Sequence, residues 1–342
     1  MKPLALIALA ALMSQAANYT ATRATDGGFE VVRLTDAARR TEVSIVPSVG
    51  NTAYEMKVDG RNVLWMPSPN LAEWKSKALL GGVPFLAPWA NRLDEDFFWA
   101  NGKKYILNSG LGNLRRDPGN LPIHGLLAFT PLWQVAAVEA DGDSARVTSR
   151  LDFWKYPDLM AQFPFAHSLE MTYRLADGQL EVATVVRNLA DAPMPLAIGY
   201  HPYFQVPGAP REEWKAHVAA REHVILSEKL TPTGERRPVS LLDPAPLSST
   251  RLDDVFTGLV RGADGKAEFW VEGRGTRISV VYGPKYPVAV VYAPPGREFI
   301  CFEPMTAITN AFNLNQREMY PELQSVAAGG EWRESFWIRV SR

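Results

Sequence analysis

Two stretches of this chain end an apolar run on a titratable side chain that is followed at once by proline. One is Ile198-Gly-Tyr-His201-Pro-Tyr-Phe204, and the other is Phe299-Ile-Cys-Phe-Glu303-Pro304. The four apolar residues before Glu303 read as a buried strand. A proline cannot donate to a ladder, so the strand should stop there and present Glu303 at an edge or a mouth. The proline after His201 restricts that residue to extended conformations. Aromatics on both sides make a partly dry pocket, which lowers an imidazole's pKa unless a carboxylate counteracts it. Taken singly, each has an ordinary structural explanation, as a capped strand-end acid or a satisfied core histidine. Together, an acid and an imidazole at two strand ends are the minimum equipment for general acid–base chemistry.

Other residues offer binding rather than proton transfer. Gly81-Gly-Val-Pro-Phe-Leu-Ala-Pro-Trp-Ala-Asn91-Arg92-Leu93 fixes an irregular backbone with two glycines and two prolines and ends on an amide and a guanidinium. Planar amides and guanidinium forks match the adjacent hydroxyls of neutral sugars. The competing role for Arg92 is an ion pair with Asp94, Glu95 or Asp96. His124, in Pro122-Ile-His-Gly125, is followed by a glycine that implies a tight turn or close backbone approach. Asp253 and Asp254 precede a β run, where one could accept from sugar hydroxyls and either could cap a turn. The five histidines match no metal-binding spacing and no Cys/His cluster occurs, so neither a metal nor a cofactor is expected.

The elements that must position these groups follow a period of two. Thr41–Val46, 53–58, Leu169–Leu175, Leu180–Val186, Ile278–Tyr282 and Ser335–Val340 alternate. Asp59-Gly60, Asn101-Gly102, Asp141-Gly142 and Asp177-Gly178 separate such runs as hairpin turns. Val63–Trp65 is expected to return from the first of these turns, and the best helix candidate is 70–80. Few helical patterns and many hairpins predict an all-β protein of large antiparallel sheets packed face to face, a β-sandwich of one domain over residues 17–342. Residues 17–28, small and polar, read as a loose leader, and 207–213 as a surface loop.

Composition narrows the class. Hydrophobic residues make up 46% of the chain and charged ones 21%, which is enough to build a core without disorder. The net charge of −1 gives no basic face for nucleic acid. Residues 1–16 have the pattern of a cleavable signal peptide: Lys2, an apolar run from Leu4 to Met13, then Ser14-Gln-Ala16. A periplasmic or secreted protein is therefore expected, with no membrane attachment after cleavage. The only cysteine, Cys301, lies inside an apolar strand, so stability must come from the core.

In family order, Asn91-Arg92-Leu93, Pro122-Ile-His124-Gly125, Gly199-Tyr-His201-Pro-Tyr-Phe204, Leu252-Asp253-Asp254-Val-Phe256 and Phe302-Glu303-Pro304 resemble the aldose 1-epimerase (mutarotase) family. The resemblance spans about residues 81–304 and extends into Met305-Thr-Ala-Ile-Thr-Asn310-Ala-Phe-Asn313. It implies a large antiparallel β-supersandwich of galactose mutarotase-like type. It implies that Glu303 is the general base at the C1 hydroxyl and His201 the general acid at the ring oxygen. His124 is implied to hydrogen-bond substrate near those two oxygens, and Arg92 and Asp253 to bind hydroxyls. The family often has Asp-His where this chain has Asp253-Asp254, so the register of that acid stays open. The partner implied is a free monosaccharide such as glucose or galactose, and the protein a monomer or homodimer. Competing readings keep the fold. One is a hexose-6-phosphate epimerase using Arg92, Arg115, Arg116 and Lys155 for the phosphate. Another is a non-catalytic sugar-binding protein. A third is a glycoside hydrolase using Asp253 with Glu303.

Overall fold

The computed structural model describes residues 18–342, so the signal-peptide reading of 1–16 lies outside the described residues. Five antiparallel strands begin the chain in sequence order: Tyr19–Asp26, Phe29–Asp36, Thr41–Val46, Thr52–Val58 and Arg61–Asn62. The first corrects the loose leader expected over 17–28. Tyr19–Asp26 is weakly patterned, yet it pairs along its whole length with Phe29–Asp36. Gly27 and Gly28, both with positive φ, close the turn between them. Val63–Trp65 is a second departure. The hairpin return stops at Asn62, and the next residues peel away so that the Trp65 N–H donates to Tyr203 O at 3.0 Å. The predicted helix is present as Leu71–Lys77, capped by the Asn70 side chain accepting from the Glu73 N–H.

A nine-stranded and an eight-stranded sheet make up most of the remainder, every pairing antiparallel. The architecture is the all-β stack that the period of two predicts. The hairpin His167–Ala176/Gln179–Asn188 lies in the nine-stranded sheet, beside Glu331–Ser341. Its inner face meets the eight-stranded sheet through aromatics. Phe269 packs 6.1 Å from Phe302, and Phe336 packs 4.8 Å from Tyr200. Phe302 and Phe204 point into this core because successive strand residues face opposite sides. The opposite face of the same strands is left for Tyr203, Cys301 and Glu303. Residues 211–213 correct the surface-loop expectation in part: Arg211 is buried, and its guanidinium donates to the carbonyls of Leu247 and Ala293.

Candidate active site

Strand register brings the two proline-flanked stretches together. Tyr203 pairs with Cys301, and Gly199 pairs with Met305. Two residues inward from either pair, His201 stands directly across from Glu303 on the same face. Cross-strand Cβ atoms lie about 4.5–5.5 Å apart, and His201 Nε2 is 3.3 Å from Glu303 Oε1. The ladder is interrupted at that place because Pro202 and Pro304 have no N–H to give it. Pro304 does not end its strand as expected, since Ile300–Met305 runs through it with Pro304 opposite Ala289. The Thr306 N–H donates to Ile198 O, and residue 304 points the same way, toward the stretch that Pro202 already breaks. The missing donor therefore interrupts the ladder on that side only, while the pairing with Val288–Ala293 on the other side runs on.

The pair sits in a dry, aromatic surround. Tyr203 stacks on the His201 ring at 4.6 Å and 4°, with its hydroxyl 3.5 Å from Nε2. Tyr292 stands edge-on to the same ring at 6.1 Å and His124 at 5.4 Å. Glu303 is 1% exposed, His201 6% and His124 8%. Burial lifts the Glu303 carboxyl well above its ordinary range. The Asp253 charge adds to the lift and Arg92 opposes it. Burial likewise lowers His201 to about 3 and pushes His124 well down. A carboxyl pushed up and an imidazole pushed down both favour the uncharged forms of the His201–Glu303 pair. Glu303 Oε2, His201 Nδ1 and His124 Nδ1 are all buried with no hydrogen-bond partner. Each such atom costs about 1–3 kcal/mol, so three in one place mark a site built for a polar ligand.

Arg92 reaches the site from a loop held on both sides. Its Nε donates to Asp117 Oδ2 at 2.6 Å, and Nη1 and the backbone N–H both donate to Asn91 Oδ1. The competing ion pair with Asp94, Glu95 or Asp96 is not made. Asp94 joins Arg317 and Asn313, and Asp96 joins Arg116. Asn91 therefore spends its carboxamide oxygen on holding Arg92. Asn310 caps the arrangement: its N–H donates to Arg92 O, and its side-chain oxygen accepts from the Asp94 N–H. Asp117 is the residue that sequence reasoning missed. Burial pulls its pKa up, but Arg92 and the Leu121 N–H hold it below the usual range. A carboxylate twenty-five residues from its partner leaves no local sequence signal. Arg92→Ala is expected to raise KM roughly 10-fold with a smaller effect on kcat. Asp117→Asn should move KM the same way by less. Steady-state kinetics on both variants checks this.

His124 arrives on the hairpin that carries Asp117. The Asp117 N–H donates to Leu121 O, the Ile123 N–H to Arg115 O, and the His124 N–H to Asn91 O. His124 has φ +62, uncommon for a side chain of its size, and Gly125 follows at φ +62. A Cβ on Gly125 would lie 2.2 Å from Ala87 O and 2.4 Å from Ala87 C, both backbone atoms. Gly125→Ala is therefore expected to destabilise the fold by about 3 kcal/mol or more, read as a fall in Tm or loss of soluble protein.

Asp253 and Asp254 lie inside the strand Leu252–Leu259, correcting their placement ahead of it. Alternation settles which faces the site. Asp253 pairs with Tyr292, and Tyr292 with Cys301, all on the Glu303 face. Asp254 turns to the other face, where its Oδ1 meets His223 Nε2 at 2.8 Å. Burial raises the Asp253 pKa, with Arg92 opposing. The remaining histidines are engaged elsewhere: His217 with Asp243, and His167 with Phe165 O. Of the cations considered for a phosphate, Arg116 bonds Asp96, Asn120 O and Ser109 Oγ, and Lys155 bonds Asp152.

The pattern of a protein family described as aldose 1-epimerase matches residues 30–339. Solved structures similar to this chain include a galactose mutarotase-like protein from Clostridium acetobutylicum. That protein is 22% identical over 95% of this chain and 99% of its own, with a TM-score of 0.84. A galactose 1-epimerase from Lactobacillus acidophilus NCFM is 17% identical over 95% and 98%, with a TM-score of 0.71. An aldose epimerase homologue from C. elegans is 20% identical over 88% and 96%, with a TM-score of 0.67. At these identities the likeness is one of fold.

Proposed function

The chain belongs to the aldose 1-epimerase family, and from that premise we propose that it interconverts the α and β anomers of free hexoses such as glucose and galactose. The observation that carries this reading is the buried His201–Glu303 pair, 3.3 Å apart, with unpartnered polar atoms around it. Mutarotation moves one proton off the C1 hydroxyl and one onto the ring oxygen. The ring opens to a free aldehyde, rotation about C1–C2 exposes the other face, and closure gives the other anomer. A carboxylate and an imidazole that share one proton suit this exchange, because neither needs to become charged without the other. With the shared proton placed on His201 and Glu303 ionised, Glu303 takes the C1 hydroxyl proton while His201 delivers one to the ring oxygen. In the return direction the two exchange roles.

His124, edge-on to His201, supplies a hydrogen bond near the ring oxygen and C1 hydroxyl. Arg92, aimed by Asp117 and Asn91, and Asp253 on the Glu303 face bind ring hydroxyls. Free rather than phosphorylated sugar is favoured because Arg116 and Lys155 are already committed to protein partners. An exported protein, which residues 1–16 would make it, also meets free sugars. The test is NMR exchange spectroscopy on galactose and glucose at anomeric equilibrium. Exchange between the two H1 resonances above the buffer rate supports the reading. Tight sugar binding with exchange at the buffer rate would make the protein a binder instead.

A further inference from the structure

We propose that Tyr203 is a positioning residue for the acid. Its hydroxyl holds His201 Nε2 while that nitrogen carries the proton and again after the proton has gone to the ring oxygen. The inference rests on the epimerase reading above and adds a residue to its machinery.

Tyr203 follows His201 by two residues, so extended backbone puts both side chains on one face. The residue is clamped there. Its N–H donates to Gly82 O at 2.8 Å, and its carbonyl accepts from the Trp65 N–H. Its buried ring lies 5.1 Å from Phe299 and 5.6 Å from Trp65, and it stacks on the His201 imidazole with 4° between the planes. A phenylalanine would make all of these contacts. The hydroxyl adds to none of them, and its one hydrogen-bond partner among the described residues is His201 Nε2, 3.5 Å away. A buried phenol keeps its hydroxyl at a cost unless that group is bonded. At 3.5 Å the contact is loose, and catalytic hydrogen bonds commonly tighten only around a bound substrate.

Nε2 is also where the orientation of the imidazole is set, because Nδ1 is buried without a partner. Its other neighbour, Glu303 Oε1 at 3.3 Å, competes for the proton meant for the sugar. If that proton passes straight to the carboxylate, acid and base cancel each other. A hydroxyl can accept one hydrogen bond and donate another. It accepts from Nε2–H while His201 is the acid, and it donates to Nε2 once the ring oxygen has taken the proton. The imidazole thus keeps a partner and an orientation through both halves of the reaction. The tyrosine gives up no proton in either half. Its burial, which lifts its pKa well above the ordinary phenol range, agrees with that.

The test removes the hydroxyl and keeps the stack. Wild type and Tyr203→Phe are compared by anomer exchange of glucose and galactose, by melting, and by long-range proton–nitrogen NMR of the histidine rings. Tyr203→Phe should lower kcat roughly 10-fold and leave KM within about 2-fold, with an unchanged melting transition. The His201 Nε2 resonance should move, while those of His167, His217 and His223 stay in place. A kcat equal to wild type overturns the inference, and so does an unmoved His201 resonance. A raised KM at unchanged kcat overturns it too, by making Tyr203 a sugar contact. A loss of activity that follows a lowered melting temperature assigns the hydroxyl to structure and also overturns it. A wild type that accelerates neither sugar overturns the epimerase reading instead, and the histidine spectra then still decide whether the hydroxyl holds Nε2.

Discussion

Glu303→Gln is expected to lower kcat by roughly 10³-fold or more while leaving a folded protein that is more stable than the parent at high pH. The substitution keeps the shape of a side chain that is 1% exposed but removes its ability to take a proton. The stability gain follows from the direction of the Glu303 pKa. Burial raises it well above the ordinary carboxylate range in the folded chain, whereas the unfolded chain ionises near ~4.3. The contribution of the protonated carboxyl is thus full below about pH 4.3 and is lost as pH rises through the folded pKa. Glutamine is neutral throughout, so the melting temperatures of parent and variant should diverge as pH rises. Thermal melts at pH 5 and pH 8, run beside the kinetics, read both effects. An unchanged kcat would remove Glu303 from the chemistry. A variant that melts lower at pH 8 would show that the carboxylate is structural.

His201→Asn should lower kcat by a similar factor, because the imidazole is the other half of the single-proton pair. The two losses should not add. With one partner gone the other has nothing to exchange with, so the double variant should be about as slow as either single one. The pH signature has the opposite sense to that of Glu303. Burial depresses His201 to about 3, so its contribution is fully present above about 6.5 and is lost as pH falls from there through about 3. The variant should therefore lose part of the parent's acid-side destabilisation. Additive losses in the double variant would mean that the two residues act at separate steps.

Much of this was legible in the sequence, and the reasons differ by element. The hairpins show because alternation and Asx-Gly turns are local signals, as at Asn101-Gly102 between Phe97–Ala100 and Lys103–Ile106. The pairing of His201 with Glu303 could be guessed only from chemistry and family likeness, since register across a hundred residues leaves no local trace. Tyr19–Asp26 was misjudged because Thr, Ala and Arg alternate too weakly in hydropathy, although Thr suits a strand. Pro304 was over-read as a stop, because its missing N–H breaks the ladder on one side only and the pairing with Val288–Ala293 on the other side carries the strand through. Asp254 and Asp253 could not be ordered until their strand was fixed, since a slip of one residue exchanges the two faces. Asp117 was beyond reach as a functional residue because its partner is distant in sequence.

The most direct test is polarimetry on freshly dissolved α-D-glucose and α-D-galactose, with the wild type, Glu303→Gln and buffer run side by side. The expected result is a faster approach to the same final rotation with wild type, and a rate close to buffer with the variant. A wild-type rate equal to buffer for both sugars, or a Glu303→Gln rate equal to wild type, would contradict the account.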